Sequence, residues 1–372
     1  MFRLLREIVL IQSGSYNKKG IDRVVRLIQS EFINNKIFCQ VIEQETFGNH
    51  LVVRSFHQAP PGTQVLLVGH MDTVFPEDTP FNWYKEDKIN SYGPGVIDMK
   101  GGLIAGIFAI KALEFAGLLK KIPVTFFFNS DEEIGSKSSA KLIENEAKNS
   151  AFALVLEAGG LAGEVATGRK GIISAKLDVK GKAGHAAYAG KDKASAIAEL
   201  AHKIIAFETL NDHQRGITVN VGKIKGGIGP NTVPEDSTAF IDFRFQSIKD
   251  KEYLEGKIND IVKKQYTPNT SCKVEILNSR PPMIQCTANR ELFNTVEEVA
   301  KSLNLPLKEE FRSGASDANL IAQQNIPVID GLGPIGGKDH SDDEYMIKES
   351  LFQRTALVAC SIDKCWKTFV KA

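Results

Sequence analysis

The residues Val65-Leu66-Leu67-Val68-Gly69-His70-Met71-Asp72 join a short, wholly apolar run to a histidine and an aspartate. Such a run is typical of a strand that is buried on both faces, as strands are in a parallel sheet covered by helices. Polar residues directly after the strand lie at the carboxyl edge of the sheet, where open α/β sheets bind their ligands. The pattern therefore predicts a functional site that includes His70 and Asp72.

Two further apolar runs are followed by acidic residues. The run VTFFF at residues 124–128 precedes the acidic triplet at residues 131–133, and FALVL at residues 152–156 precedes Glu157. Asp98 lies between the first two strands along the chain, just before a predicted helix. Because parallel strands present their carboxyl ends at one edge of a sheet, we expect these side chains to converge.

The first half of the chain alternates strands with helices. Apolar residues at helical spacing predict one helix from Gly101 to Gly117, and Ser136 is placed to cap a second helix that runs to about Lys148. After Arg280 the alternation of strands and helices resumes, with a strand-like run at residues 326–329 and a helix at about residues 349–367. This βαβ rhythm predicts an α/β fold with a mostly parallel sheet covered by helices.

The pattern changes between residues 171 and 279, where the predicted order is β-α-β-β-α-β. That order is typical of a ferredoxin-like α+β domain. Its first helix is predicted from Ala194 to Phe207. The residues expected on its inward face are Ile197, Leu200, Ala201, Ile204 and Ile205. We therefore predict a catalytic domain formed by residues 1–170 and 280–372, and an inserted lid and dimerisation domain formed by residues 171–279.

Length and charge narrow the function classes. At 372 residues the chain exceeds one ordinary core, so two domains are expected. The 46 basic and 45 acidic residues are balanced, and the absence of a polybasic block argues against nucleic-acid or membrane-surface partners. Arg6 and Glu7 interrupt the N-terminal apolar residues, so this segment is interpreted as the first helix of a cytoplasmic protein. No apolar stretch approaches the length of a membrane span.

Imidazole and carboxylate ligands together suit Zn²⁺, and Co²⁺ or Mn²⁺ are possible. One metal needs about three protein ligands, so the predicted set is large enough for two metals that lie about 3.5–4 Å apart. Two divalent ions bring four positive charges. Asp98, Glu133, Glu157 and one hydroxide bring four negative charges, with His70 and His340 as neutral ligands. Glu132 then lies outside the ligand set and is able to move a proton.

Five segments carry a resemblance to the M20 family of dinuclear zinc peptidases and amidohydrolases, and most of all to its carboxypeptidase G2 (glutamate carboxypeptidase) branch. In chain order they are GHMDTVFP from Gly69, GPGVIDMKGGL from Gly93, DEEIGS from Asp131, EAGG from Glu157 and HSDDEY from His340. The resemblance covers the whole chain, including the inserted domain. It implies two Zn²⁺ ions for each subunit.

The resemblance also implies roles for the residues of the site. The metal ligands that it implies are His70, Asp98, Glu133, Glu157 and His340. Asp98 bridges the two metals, Glu132 is the general base and acid, and Asp72 orients His70 and fixes its tautomer. The resemblance further implies a cis peptide bond after Asp98.

In the inserted domain, GKAGHAAYAG from Gly181 resembles the family's lid segment. The resemblance implies that His185 reaches the active site of the partner subunit and stabilises the oxyanion, so the protein is expected to be a homodimer formed through residues 171–279. It also implies contacts with the substrate or its carboxylate from Asn231, Arg244, Arg280, Gly314 and Ser316. Arginine suits this role because its planar fork binds a carboxylate with two hydrogen bonds.

Three interpretations of function follow. The first is a carboxypeptidase that hydrolyses an amide bond in a small carboxylate-bearing substrate or short peptide, in the manner of a glutamate carboxypeptidase. The second is a deacylase of N-acyl amino acids, such as an aminoacylase or an acetylornithine or succinyl-diaminopimelate deacylase. Both need a carboxylate-binding site, so the sequence does not separate them. The third is a catalytically silent metal-binding scaffold.

Overall fold

A computed structural model describes residues 1–33 and 37–370, and the chain divides into two compact units. The first unit comprises Met1–Gly168, Gln285–Arg312 and Ser316–Ala372. The second comprises Arg169–Ile284 and Ser313–Ala315. The segment predicted as an inserted domain, residues 171–279, lies inside the second unit.

Helices and strands alternate along the part of the chain that the structure describes. The α-helices are α1 (Phe2–Val9), α2 (Lys18–Ser30), α3 (Gly101–Phe115), α4 (Ala140–Lys148), α5 (Ala196–Glu208), α6 (Ile248–Lys263), α7 (Thr287–Ser302), α8 (Ala318–Ala322) and α9 (Lys348–Phe369). The first strands are β1 (Phe38–Ile42), β2 (His50–Arg54), β3 (Gln64–His70), β4 (Lys85–Glu86), β5 (Asn90–Tyr92), β6 (Val124–Asn129), β7 (Ser150–Val155), β8 (Glu164–Arg169) and β9 (Gly171–Lys180). The later strands are β10 (Gly184–His185), β11 (Thr218–Gly226), β12 (Thr232–Val233), β13 (Asp236–Phe245), β14 (Ser271–Arg280), β15 (Lys308–Arg312), β16 (Val328–Asp330), β17 (Gly336–Gly337) and β18 (Tyr345–Ile347).

The main sheet of the first unit has the strand order β1-β2-β6-β3-β7-β16-β8-β15. Its four central strands, β6, β3, β7 and β16, run parallel, whereas the pairs β1–β2, β2–β6 and β16–β8 are antiparallel. Every residue of β3 and β6 is buried, as expected of strands that are covered on both faces. The predicted α/β fold with a mostly parallel sheet is confirmed.

The order of the central strands determines where the site forms. β3 lies between β6 and β7 and is parallel to both. His70 ends β3, so the residues that follow β6 and β7 lie on either side of it. Helix α3 packs against β3 and β6, and ten of its 15 residues are buried. A Cβ added to Gly102 would lie 2.0 Å from the carbonyl oxygen of Leu156, so only glycine allows this close approach of helix and strand end.

Helix α4 begins later than predicted. Its first residue is Ala140, not a residue next to Ser136. Ser136 has φ +52°, and its hydroxyl donates a hydrogen bond to Asp317 instead of capping a helix. The carboxylate of Asp131 accepts hydrogen bonds from Ser138 and Ser139, which keeps the intervening residues in a loop.

The second unit has an antiparallel sheet with the strand order β11-β13-β9-β14, and α5 and α6 pack against it. The chain order β9-α5-β11-β13-α6-β14 is the ferredoxin-like order that was predicted. Inward-facing residues of β9 and β13 alternate with more exposed ones and form a separate core. Within residues 1–33 and 37–370, no helix is both long enough and apolar enough to cross a membrane.

Candidate metal centre

His70 lies at the end of β3 and is buried. Its Nδ1 is 3.0 Å from the carbonyl oxygen of Asp72 and 3.4 Å from the Asp72 carboxylate. Its Nε2 points the other way, 3.1 Å from Oδ1 of Asp98 and 3.7 Å from Oε1 of Glu157. One ring nitrogen is therefore held by Asp72, and the other faces the predicted metal ligands.

Asp98 lies on the turn Val96–Lys100 that precedes α3. Its two carboxylate oxygens each face a histidine: Oδ1 is 3.1 Å from Nε2 of His70, and Oδ2 is 3.1 Å from Nε2 of His340. The peptide bond between Asp98 and Met99 is cis, as the resemblance implies. Asp98 and both histidines belong to groups of residues that could hold a metal ion.

Glu133 completes the other side of the cluster. It belongs to the short helical turn Glu132–Ile134 after β6, and its Oε2 is 3.5 Å from Nε2 of His340. Its other oxygen, Oε1, is buried and has no hydrogen-bond partner among the described residues. Ligand atoms of His70, Asp98 and Glu133 all lie within 4.8 Å of one another.

The electrostatics of this cluster suit a divalent cation. Burial raises the pKa of Glu133 to about 8, and the neighbouring Asp98 adds to this shift. Burial also raises the pKa of Glu157 well above its usual value, although His70 opposes the effect. Hydrogen bonds to Asp98 and Glu133 raise the pKa of His340 to about 11. A bound divalent ion would oppose these shifts, because it would favour ionised carboxylates and neutral imidazoles.

Asp72 is buried and holds several parts of the site together. Besides facing His70, its carboxylate accepts hydrogen bonds from the backbone amides of Glu132 and Glu133, each at 3.2 Å. It also accepts a hydrogen bond from the hydroxyl of Ser15 at 2.7 Å. One carboxylate therefore fixes the histidine at the end of β3 and the turn that carries both glutamates.

Glu132 lies beside Glu133 in the chain, but among the described residues it belongs, like Glu157, to neither group that could hold a metal. Glu157, however, has a carboxylate oxygen 3.7 Å from Nε2 of His70. Burial is the main cause of the raised pKa of Glu157, and the charge of Glu132 adds to it, so the two carboxyl groups are near each other. This placement is compatible with a base that stands next to the metal ligands without joining them.

Two acidic residues of the site were not predicted. Asp339 forms a second candidate cluster with Asp98 and His340. Glu344 is buried, and its carboxylate accepts hydrogen bonds from the backbone amides of Gly95, Ile97 and Asp98 at 2.9, 2.9 and 3.1 Å. The only signal in the sequence is that Glu344 belongs to the segment HSDDEY, four residues after His340.

Most of the predicted substrate-binding residues belong to the second unit. His185 is exposed, and its Nδ1 accepts a hydrogen bond from the amide of Ala187 at 3.2 Å. The guanidinium of Arg244 donates two hydrogen bonds to the carboxylate of Asp242, at 2.8 and 3.1 Å. Asn231 is exposed, whereas Arg280 at the end of β14 is buried.

The loop that carries Gly314 and Ser316 is divided between the two units, with Gly314 in the second unit and Ser316 in the first. The carbonyl oxygen of Gly314, in the second unit, accepts a hydrogen bond from Arg169 at 2.9 Å. Ser316, in the first unit, is buried, and its hydroxyl donates a hydrogen bond to Asp330. The hydroxyl of Ser316 is thus engaged within the protein in this structure.

A sheet edge that gathers two histidines and three acidic side chains, with a further glutamate beside them, is the arrangement of a metal-dependent hydrolase. The family model for peptidase family M20/M25/M40 matches residues 66–364. The chain belongs to this family, and the predictions of the family and of an enzyme are confirmed.

Similar proteins include enzymes of two kinds. The chain is 26% identical to carboxypeptidase G2 of Pseudomonas sp. (strain RS-16) over 371 residues, which cover 97% of this chain and 88% of the relative. It is 27% identical to succinyl-diaminopimelate desuccinylase of Burkholderia multivorans (strain ATCC 17616 / 249) over 331 residues, which cover 83% of this chain and 84% of the relative.

The fold is shared with solved structures of the family. One is the YXEP protein of Bacillus subtilis, which is described as a dinuclear metal-binding peptidase from family M20. The match has a TM-score of 0.71 and 14% identity, and it covers 99% of this chain and 98% of the other. Hydrolysis of a peptide or amide bond is the reaction class of these relatives.

Proposed function

We propose that this enzyme hydrolyses an amide bond in a small carboxylate-bearing substrate, as a carboxypeptidase that releases a C-terminal amino acid such as glutamate. The observation that supports this most is the position of Asp98, whose two oxygens each lie 3.1 Å from the Nε2 atom of a different histidine. Glu157 lies on the His70 side of this carboxylate, and Glu133 lies on the His340 side.

The donor set fits two divalent cations, for which we propose Zn²⁺, with Co²⁺ or Mn²⁺ able to replace it. The residues that would hold them are His70, Asp98, Glu133, Glu157 and His340. The buried Oε1 of Glu133, which has no hydrogen-bond partner among the described residues, supports its assignment as a ligand. When bound, such ions lower the pKa of water and polarise a carbonyl group.

The side chains of the protein then carry the proton transfers. Glu132 accepts a proton from the attacking water and passes it to the nitrogen of the leaving amine. Asp72 keeps the imidazole of His70 in one orientation and one tautomer. His185 from a second copy of the chain donates a hydrogen bond to the oxyanion. Asn231, Arg244 and Arg280 recognise the substrate carboxylate.

A deacylase of N-acyl amino acids is the second candidate, and its support is the similarity to a succinyl-diaminopimelate desuccinylase over 83% of the chain. The similarity to carboxypeptidase G2 extends over 97% of the chain, which favours the first candidate. Membership of a peptidase family argues against a silent scaffold. The homodimer through residues 171–279 and the cytoplasmic location stay predictions.

A panel of dipeptides and N-acyl amino acids, assayed with the zinc-loaded protein and after chelation, tests this proposal. We expect turnover that chelation abolishes and added zinc restores. Glu132→Gln should retain zinc but lose about 10²–10⁴-fold or more in kcat, because it removes the proton acceptor. The exposed Glu45, changed to Gln, is a matched control that should keep wild-type turnover. Near-normal turnover of Glu132→Gln contradicts the assigned role.

A further inference from the structure

A cleft of about 320 Å³ lies in the first unit, directly beside the candidate metal centre. Glu133 lines it, and the remaining walls come from residues 14–17 and 73–77, together with Ile134. We infer that this cleft binds the acyl side of the substrate, and that it selects an uncharged aromatic or branched apolar acyl group. The inference rests on the proposed amide hydrolysis and adds the class of group on the carbonyl side of the bond.

The cleft is built by two segments that are joined through their backbones. The amide of Ser15 donates to the carbonyl oxygen of Thr73 at 3.3 Å, and the amide of Thr73 donates to the carbonyl oxygen of Ser13 at 3.0 Å. A Cβ added to Gly14 would lie 2.2 Å from the carbonyl oxygen of Phe75, so a larger residue would separate the segments. The walls are therefore held in place in the folded protein.

The same walls are connected to the catalytic side chains. The hydroxyl of Ser15 donates to Asp72 at 2.7 Å, and this carboxylate also accepts the amides of Glu132 and Glu133. A group that lies in the cleft is therefore close to Glu133, on the same framework that positions the proposed base. Because the cleft adjoins the candidate metal centre, we assign it to the binding of part of the substrate.

The chemistry of the lining favours an apolar occupant. Tyr16 is 74% exposed and Val74 is 40% exposed, so both present apolar surface that an occupant would remove from water. Ile134 adds further apolar surface. An engineered cavity of about 150 Å³ holds benzene, so a cleft of about 320 Å³ has room for a substituted ring.

The charges of the lining disfavour a carboxylate. Among the residues that line the cleft, none is lysine or arginine, and Glu77, which is not one of the proposed metal ligands, is acidic. A succinyl group would place its distal carboxylate beside Glu77, where like charges repel. A benzoyl or branched aliphatic acyl group brings no such charge. The cleft therefore favours a different acyl group from the one that a desuccinylase removes.

Binding to a variant that does not turn over tests the inference without relying on activity. The protein is the zinc-loaded full chain with Glu132→Gln, and the probes are N-benzoylglycine, N-acetylglycine and N-succinylglycine, measured by calorimetry. We expect N-benzoylglycine to bind about tenfold or more tighter than N-acetylglycine, because its ring leaves water. N-succinylglycine should bind no tighter than N-acetylglycine.

Two substitutions then locate the preference in the cleft. Val74→Trp should fill the space and reduce the ratio of the benzoyl to the acetyl affinity to about one, and Tyr16→Ala should reduce the same ratio by several-fold. Tyr16→Ala is the safer variant for folding, because the side chain is 74% exposed. Ile89→Trp is the matched control: Ile89 is 65% exposed, does not line the cleft, and should leave the ratio unchanged.

The outcomes separate the inference from the proposed function. Equal binding of the benzoyl and acetyl probes, tightest binding of the succinyl probe, or an unchanged ratio in Val74→Trp and Tyr16→Ala overturns the assignment of the cleft. No binding of N-benzoylglycine at millimolar concentration also overturns it. If the benzoyl preference depends on Val74 and Tyr16 but the protein with Glu132 hydrolyses no amide, the cleft is supported and the proposed function is wrong.

Discussion

Glu344 shows how a single buried carboxylate shapes the candidate centre. It accepts hydrogen bonds from three backbone amides of the turn that carries Asp98, and it lies four residues after His340 in the chain. Glu344 therefore connects the segment that carries His340 to the turn that carries Asp98. We assign it a positioning role, since it reaches the centre through the backbone of Asp98 and not through its own ligand atoms.

Removing this carboxylate should weaken metal binding as well as the fold. Glu344→Ala leaves buried amides without an acceptor, which we expect to lower the free energy of unfolding by about 3 kcal/mol or more. It should also lower zinc affinity about 10–100-fold, as expected when a group that supports a ligand is lost. Chelator competition at a temperature where the variant is folded measures the affinity, and thermal unfolding of the metal-free protein measures the stability.

Glu344→Gln sharpens this test. The glutamine side chain keeps one acceptor oxygen, but its NH₂ group takes the place of the second acceptor and faces a backbone N–H. We therefore expect the zinc affinity of Glu344→Gln to lie between those of wild type and Glu344→Ala. Glu45→Ala, at an exposed glutamate of the same unit, is the matched control. Wild-type zinc affinity in both Glu344 variants would show that the three hydrogen bonds matter for folding alone.

At the scale of single elements, helix α5 is the clearest case in which the sequence pattern was misleading. Ile197, Ala201 and Ile205 were expected to face inward, but all three are exposed, Ile197 by 42% and Ile205 by 65%. The buried face instead carries Glu199 and Lys203, whose charged groups lie 3.1 Å apart. A pattern based on apolar spacing assigns charged residues to the exposed face of a helix. It misses this buried pair because the groups that bind the two charges lie on other parts of the chain.

Those partners explain why the pair is tolerated inside the second unit. The carboxylate of Glu199 accepts hydrogen bonds from the amides of Tyr266 and Thr267, at 2.9 and 2.6 Å. The ammonium of Lys203 donates to the carbonyl oxygens of Ile261 and Lys264, both at 2.8 Å, at the end of α6. The pair therefore joins α5 to the end of α6 and to the chain that follows it.

This pair should make the stability of the protein depend on pH. Although burial opposes the effect, hydrogen bonds to Lys203 and two backbone amides lower the pKa of Glu199 below its usual value. A carboxyl group whose pKa is lower in the folded state stabilises the fold above its unfolded pKa, and this contribution is lost as pH falls through the folded pKa. We expect Glu199→Gln to be less stable than wild type at pH 7, with a difference that shrinks as pH falls below about 4.

Urea unfolding of wild type and Glu199→Gln between pH 7 and pH 3 measures this difference. Lys203→Met is the second variant: it leaves the buried carboxylate without its cation and should cost about 3–5 kcal/mol at pH 7. The exposed pair Lys301 and Glu297 on α7 provides the control, and Glu297→Gln should change stability by less than about 1 kcal/mol at any pH. A constant difference between wild type and Glu199→Gln across this range would contradict the expected linkage.

For the molecule as a whole, sequence reasoning was most successful where a general rule of topology applied. His70 and Glu133 converge because β3 and β6 run parallel with their carboxyl ends together, and an apolar run followed by a polar residue reveals such an end. Asp98 joins them from the turn before α3. The contribution of Glu344 was missed because it depends on a contact between distant segments. The prediction that Ser136 caps a helix was wrong, because its hydroxyl donates a hydrogen bond to Asp317, which lies far along the chain.

The assembly of the active site is the largest prediction that the resemblance makes. If His185 acts on a neighbouring copy of the chain, each catalytic centre takes Glu132 from one subunit and His185 from the other. Glu132→Gln and His185→Ala should each be nearly inactive as pure homodimers. In a mixed dimer, however, one centre contains both intact residues, because the Glu132→Gln subunit supplies its His185 to the subunit that retains Glu132.

Mixing the two variants should therefore restore activity from two inactive proteins. Random exchange of subunits makes half of the dimers mixed, and each mixed dimer has one intact centre of two, so about a quarter of wild-type activity is expected. Coexpression of the two chains with different tags, followed by a rate assay on the doubly purified mixed dimer, should give about half. Mixed dimers without activity would show that His185 serves its own subunit, and an active monomer in sedimentation would show that no second copy is needed.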